Sequence, residues 1–216
     1  MKVTAVLPCL NEEATVGVCV RKCLDVFARE GLDGEVVVVD NGSADRSAEA
    51  ARQAGARVVD QPLRGYGAAY LKGLSEARGE YVVMGDADDT YDFNEIPALL
   101  RELDSGYDMV IGSRFMGRMA RGAMPFLHRY VGNPILTTML NVCFKTRISD
   151  AHSGFRALRR SILNRLRLST TGMEFASEMI VAALRENVSI KEVPIVYHPR
   201  RGESKLQPFM DAWRHI

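Results

Sequence analysis

The chain has 216 residues, 47% of them hydrophobic and 25% charged, with a formal net charge of +1. That is ordinary globular composition with material for one substantial core. The near-neutral balance excludes a general electrostatic pull toward nucleic acid, so any recognition of charge has to be local.

In chain order, Val3 to Pro8 is a short apolar strand that opens the chain directly, without the look of a signal peptide. Asn11-Glu-Glu reads as a cap and acidic first turn of a helix running to about Glu30. Glu35 to Asp40 is a second strand, too uniformly apolar for a half-exposed sheet. Asn41 to Asp45 turns the chain into a helix ending near Ala54, and Arg57 to Asp60 is a third strand. Arg64-Gly-Tyr-Gly67 opens a helix through Ala77. The strand Tyr81 to Met84 comes next, followed by a helix from about Asn94 to Asp104 and a fifth strand from Met109 to Arg114. This alternation predicts a mostly parallel central sheet with helices on both faces. Ligands of such sheets bind beyond the carboxyl ends of the strands.

After Arg114 the alternation lapses. Gly117 to Pro125, with Arg118 and Arg121, reads as a mobile basic loop. Phe126 to Phe144 is apolar but carries His128, Arg129, Asn133 and Pro134, so it suits a buried core helix or a helix lying in a membrane interface better than a span. Asp150 to Arg156 is a turn loaded with functional groups, Phe155 to Arg160 a short strand, and Phe175 to Asn187 a helix with Glu174 and Glu178 one turn apart. Ile190 to Tyr197 contains Pro194 and is expected near a sheet edge. Arg200 to Lys205 is a basic loop suited to gripping a diphosphate or to solvation. Leu206, Phe209, Met210, Trp213 and Ile216 then follow helical spacing beside Lys205, Arg214 and His215, the pattern of an amphipathic helix at a membrane surface or of a packed terminal helix. The pattern stops in mid-course at Ile216, so the natural chain is expected to continue. The four cysteines, Cys9, Cys19, Cys23 and Cys143, complete no zinc pattern and read as reduced core residues of a cytosolic protein.

The stretch on which the rest is organised is Tyr81-Val-Val-Met-Gly-Asp-Ala-Asp-Asp89. A buried strand ends in Asp86, Asp88 and Asp89, and clustered carboxylates repel and lose solvation unless something positive joins them. A hard divalent cation held with nucleotide phosphates would supply that charge. In extended backbone, residues two apart face the same way, so Asp86 and Asp88 can address one site. A solvated acidic loop would look similar. The first loop lacks G-x-G-x-x-G, and no P-loop motif occurs.

Taken together, Pro8-Cys-Leu-Asn-Glu12, Asp40-Asn-Gly-Ser-Ala-Asp45, Gly65-Tyr-Gly67, Asp86-Ala-Asp88, Gly112-Ser-Arg114, Ser153-Gly-Phe-Arg156 and Arg201-Gly-Glu-Ser-Lys205 resemble the inverting glycosyltransferases of family 2. More narrowly they resemble the dolichyl- or polyprenyl-phosphate sugar synthases. The resemblance implies a GT-A fold over residues 1–205, with 206–216 the start of a juxtamembrane helix. It implies that Pro8, Asn11, Glu12, Asp40 and Gly65 line the nucleotide-sugar pocket with Asp86, and that Asp86 and Asp88 hold Mg²⁺ or Mn²⁺. Asp89 is a further candidate ligand, since Thr90 stands where a glutamine can serve. Arg201 and Lys205 would close over the donor diphosphate, and Arg114, Arg129, Asn133 and Ser153 would meet the acceptor phosphate. Asp88, Arg114 and Arg129 would be the catalytic residues. The implied reaction moves a sugar from a nucleotide-sugar, UDP-glucose-like rather than GDP-mannose, to a polyprenyl phosphate at the cytoplasmic face of a membrane. A homo-oligomer is a fair expectation. A relative acting on a polysaccharide or small acceptor, and a non-catalytic nucleotide-sugar-binding module, remain as alternatives.

Overall fold

The computed structural model describes residues 1–200. Its strands are β1 (Val3–Cys9), β2 (Gly34–Asp40), β3 (Arg57–Asp60), β4 (Tyr81–Met84), β5 (Met109–Met119), β6 (Arg156–Arg159) and β7 (Ile190–Tyr197). Its helices are α1 (Val16–Arg29), α2 (Ser47–Gln53), α3 (Tyr66–Glu76), α4 (Ile96–Asp104), α5 (Asn133–Phe144), α6 (Leu163–Leu166) and α7 (Phe175–Arg185). One seven-stranded sheet has the order β3-β2-β1-β4-β6-β5-β7. All neighbours are parallel except β6, which runs antiparallel to both β4 and β5. The mostly parallel sheet expected from the alternation is therefore present, and β7 with its Pro194 lies at the edge.

Alternation along the central strands sends side chains to two cores. Val3, Ala5, Leu7, Val36, Val38, Tyr81 and Val83 join the side chains of α1 and α4 on one face, with Phe93 and Phe155. Val6, Val37, Val39, Val82 and Met84 join α3 and α7 on the other, through Tyr70, Leu74, Phe175, Met179 and Ile180. Each such aliphatic side chain contributes about 1.5–3 kcal/mol of transfer free energy, and a strand buried on both faces has to be apolar at every position.

Local structure departs from the sequence reading in four places. The helix expected from Asn11 begins at Val16, because Asn11 takes a left-handed φ of 53° and is bonded sideways to the loop after β2. β5 does not stop at Arg114 but runs to Met119, with a pairing irregularity between Ser113 and Arg118. Gly117 therefore belongs to a strand, where a Cβ would come 1.9 Å from the Ile195 carbonyl oxygen. Phe126 to Phe144 is not a core helix: Phe126, Leu127, Tyr130, Val131, Ile135, Met139 and Val142 are exposed, and α5 buries Thr137 and Leu140. Cys9, Cys19 and Cys23 are buried but Cys143 is exposed, which corrects the reading of all four as core residues. Among the described residues no helix is long and apolar enough to cross a membrane. The amphipathic pattern of 206–216, and Arg201 and Lys205, lie outside the described residues.

Candidate active site

The carboxyl ends of β1, β2 and β4 open on one edge, and the loops that leave them are cross-linked before any ligand is considered. Pro8 closes β1 opposite Val39. The Asn11 side-chain oxygen accepts from Ala44 N at 2.7 Å, and Asn11 N donates to Ser43 Oγ at 2.9 Å. Asp40 Oδ1 accepts from Ser43 N at 3.1 Å. Asn41 is buried, donates to the carbonyls of Gln61 and Leu63, and accepts from Gly65 N at 2.8 Å. One asparagine thus fixes the loop after β3 against the loop after β2.

Gly65 and Gly67 serve packing. At Gly65, with φ 141°, a Cβ would lie 2.1 Å from Thr171 O, and at Gly67 one would lie 2.3 Å from Thr170 O. The first amides of α3 are already taken, Gly67 N by Gly172 O and Ala68 N by Thr171 O. Those two amides are therefore not offered to a phosphate. Glu178 supports this contact by accepting from the amides and hydroxyls of Ser169 and Thr170.

The acidic stretch after β4 divides by direction. Asp86 Oδ1 accepts from Tyr66 Oη at 3.2 Å and Tyr70 Oη at 3.3 Å. Burial and the neighbouring Asp88 charge push its pKa up to about 7, against the hydrogen bond from Tyr66, the Arg200 charge and the Tyr70 bond. Asp88 is held through Oδ1 by the amide and hydroxyl of Thr90, at 3.1 and 2.7 Å. Its Oδ2 lies 3.4 Å from Arg200 Nη1. Asp89 turns away: its φ is 62°, and its carboxylate pairs with Lys22 Nζ of α1 at 2.6 Å. Lys22 thus already neutralises Asp89, whereas Asp88 points toward Arg200. Glu12, buried, pairs with the other arm of the Arg200 fork.

On the acceptor side, Arg114 is buried and clamped by Asp150, Nε to Oδ2 at 2.7 Å and Nη2 to Oδ1 at 2.8 Å, with its own amide on Oδ2 at 3.0 Å. Burial opposes ionisation of Asp150, but the Arg114 charge and hydrogen bonds hold its carboxyl below the ordinary value. This bidentate pair fixes the guanidinium in place through Nε and Nη2 and leaves its other N–H groups unengaged by Asp150. Ser153 is fully buried and caps its own turn through Phe155 N, so its side chain does not face an acceptor. Arg129 lies over the Tyr130 ring at 5.2 Å and Asn133 donates to Met124 Sδ at 3.4 Å; both belong to the outward apolar segment. Gly154 backs the acidic pair, since a Cβ there would lie 3.1 Å from Asp86 Oδ2, and its amide donates to Tyr91 Oη at 2.8 Å.

The residues that sequence reasoning missed are Tyr66 and Tyr70, which hold Asp86, and Asp150, which clamps Arg114; Thr90 and Arg200 stand out in the sequence, but not as the holders of Asp88. Among the described residues no group of three or more His, Cys, Asp or Glu side chains forms a cage for a metal. Two carboxylates, one pushed toward neutrality by burial and by the other's charge, nonetheless fit a hard divalent cation that takes its remaining oxygens from a diphosphate and water. A mostly parallel α/β sheet with paired carboxylates beyond the end of β4, contacted by Tyr66, Tyr70 and Arg200, has the architecture of a GT-A domain.

Comparison with known proteins narrows this class. The model of the family described as Glycosyl transferase family 2 matches residues 4–167, and the chain belongs to that family. It is 48% identical over 214 residues to the low-salt glycan biosynthesis hexosyltransferase Agl6 of Haloferax volcanii, covering 99% of this chain and 52% of that protein. It is 36% identical over 202 residues to a dolichyl-phosphate hexose transferase of the same organism, covering 92% and 84%. A dolichol-phosphate mannosyltransferase of Pyrococcus furiosus is 30% identical over 230 residues, 100% of this chain and 63% of that protein. The chain thus spans about half the length of the Agl6 relative. Among solved structures, glucosyl-3-phosphoglycerate synthase from Mycobacterium tuberculosis, in complex with Mn²⁺, UDP-glucose and phosphoglyceric acid, superposes with a TM-score of 0.80 at 23% identity, covering 99% of this chain and 77% of that one. At that identity the likeness speaks for the fold.

Proposed function

We propose that this chain carries the catalytic domain of an inverting glycosyltransferase that moves a sugar from a nucleotide-sugar, UDP-glucose-like in preference to GDP-mannose, to a polyprenyl phosphate at the cytoplasmic face of a membrane. The observation that carries the reading is the Asp86–Asp88 pair at the end of β4, with Asp88 oriented by Thr90 and backed by Arg200. The names of the Haloferax and Pyrococcus relatives support a lipid-phosphate acceptor.

The acceptor oxygen of a phosphate monoester is anionic at neutral pH, so the reaction needs no strong general base. In-line attack on the anomeric carbon breaks the bond to the nucleoside diphosphate and turns an α-linked donor into a β-linked product. Asp86 and Asp88 would hold Mg²⁺ or Mn²⁺, which supplies charge neutralisation for the departing diphosphate. Arg200, with Arg201 and Lys205 beyond it, would add cationic stabilisation on the same leaving group. Arg129, Asn133 and Arg114, the last held in place by Asp150, would meet the acceptor phosphate, while Ser153 is engaged internally. Asp40 and Asn11 would frame the nucleoside.

The test is transfer of labelled sugar from UDP-glucose and from GDP-mannose to a polyprenyl phosphate and, in parallel, to water-soluble acceptors, each with and without Mn²⁺. Metal-dependent labelling of the lipid by one donor is expected. Asp88→Asn is expected to remove more than nine-tenths of the rate, a loss above ~1.4 kcal/mol. Labelling of soluble acceptors alone would replace the lipid reading.

A further inference from the structure

Arg200 pairs with Asp88 of the acidic pair and with Glu12. Nη2 contacts Glu12 Oε1, and Nη1 lies 3.4 Å from Asp88 Oδ2. Glu12 and Asp88 are 8% and 7% exposed, so both carboxylates have lost most of their water. One guanidinium compensates the two together, as buried carboxylates require. The chain that carries it is anchored nearby. His198 N donates to Thr90 O at 2.9 Å, and Thr90 is the residue that grips Asp88.

This placement has a physical consequence. A divalent cation on Asp88 and a guanidinium on the same carboxylate repel each other at close range. A bare cation entering the site must therefore displace Arg200 and leave it beside Glu12 alone. A nucleoside diphosphate entering with the cation changes the balance, because its oxygens match the planar fork of an arginine. We infer that Arg200 is a resident stand-in for the divalent cation: it holds Asp88 and Glu12 in the ligand-free chain, suppresses binding of a bare cation, and moves to the diphosphate when cation and nucleotide enter together. The inference rests on Asp86 and Asp88 being the cation site.

Cation and nucleotide binding are then coupled through one side chain, and the coupling is reciprocal. The experiment is a titration of Mn²⁺ into the protein, reading free Mn²⁺ by electron paramagnetic resonance, alone and with saturating UDP or GDP. In the parent chain one nucleotide is expected to tighten Mn²⁺ about tenfold or more. In Arg200→Gln, bare Mn²⁺ is expected to bind severalfold tighter than in the parent, while the nucleotide's tightening effect shrinks. Arg200→Lys, which keeps the charge without the fork, is expected to return bare Mn²⁺ affinity toward the parent value without restoring the coupling. Bare Mn²⁺ affinity unchanged or weakened in Arg200→Gln, or a lysine variant indistinguishable from the glutamine one, overturns the inference while leaving the cation site in place. Absence of Mn²⁺ binding in every protein, with and without either nucleotide, overturns the cation site and the inference with it.

Discussion

Thr90 and Asp150 each hold one charged side chain of the site, Asp88 and Arg114, in a fixed orientation. Thr90 donates its hydroxyl to Asp88 Oδ1 at 2.7 Å and its amide to the same atom, so the carboxylate keeps one orientation. A hydrogen bond to a charged group is worth about 1.5–3 kcal/mol. Thr90→Val keeps the volume and the amide bond but removes the hydroxyl. It is expected to slow sugar transfer by about tenfold and to weaken Mn²⁺ in the presence of nucleotide, measured by steady-state kinetics and titration; parent-like values of both would show that the amide alone suffices. On the opposite side, Asp150 is the buried counter-charge of Arg114. Removing one partner of a buried pair costs about 3–5 kcal/mol, because the other charge is left without compensation. Asp150→Asn is therefore expected to lower the thermal midpoint by roughly 6–20 °C. The Asp150 carboxyl is held below its ordinary value, so its contribution is present above the unfolded pKa near 4 and is lost as pH falls through the lower folded value. The penalty should thus be the same at pH 8 and pH 6, which differential scanning calorimetry can check.

At the scale of elements, the joint between α4 and the edge strand β7 carries a titratable lock. Glu95 ends a 3-10 turn, Phe93–Glu95, and accepts the Val196 amide through both carboxylate oxygens at 3.0 and 3.1 Å. Burial, with the nearby Asp92 charge, pushes its pKa up to about 7 against the pull of the Val196 hydrogen bond. A carboxyl raised in the folded state binds its proton more tightly there, so its stabilisation is complete below the unfolded value near 4.5 and is lost as pH rises through 7. Discounted for the exposure of the group, the loss is about 1 kcal/mol. Glu95→Gln keeps an acceptor for Val196 and cannot ionise, so it is expected to raise the unfolding free energy by about that amount at pH 8 and to be neutral at pH 5. An equal effect at both values would place the gain elsewhere. The elements themselves were legible where period and burial agree: uniformly apolar runs such as Glu35 to Asp40 can only be buried strands. They were misread where a long-range bond overrides local preference, as when Asn11 bonds to Ser43 and Ala44 instead of capping α1. Asp86 and Asp88 were legible because acidic residues seldom end a buried strand. Their holders were not, since Tyr66 and Arg200 reach them from 20 and more residues away, and no local pattern marks a tyrosine as a carboxylate's partner. Nor could sequence alone show that Arg114 is clamped by Asp150.

At the scale of the whole molecule, the surface is uneven in a way that the overall charge of +1 conceals. The segment around α5 exposes Phe126, Leu127, Tyr130, Val131, Ile135, Met139 and Val142, with Phe126 at 71% and Val142 at 73%. A contiguous apolar face of this kind on a water-soluble surface marks a contact with something apolar. Arg118, Arg121, His128, Arg129, Lys145 and Arg147 accompany it in sequence, which is the composition of an interfacial segment that seats its apolar side among acyl chains and its cations among anionic headgroups. A polyprenyl phosphate presents the same two chemistries in one molecule, so the surface proposed to meet a bilayer and the residues proposed to meet the acceptor, Arg129 and Asn133, lie on one stretch of chain. The expected outcome is that the protein sediments with vesicles containing anionic lipid, less so as salt is raised. The pair Ile135→Glu and Val142→Glu should cut the bound fraction severalfold. Because both side chains are exposed, the thermal midpoint should move by no more than about 0.5 kcal/mol per site would imply. Transfer to a short-chain, water-soluble prenyl phosphate should be retained, while transfer to a long-chain acceptor in vesicles falls in step with binding. Equal losses on both acceptors would instead mean that the α5 face shapes the site itself, and undiminished vesicle binding would assign the apolar face to a protein partner.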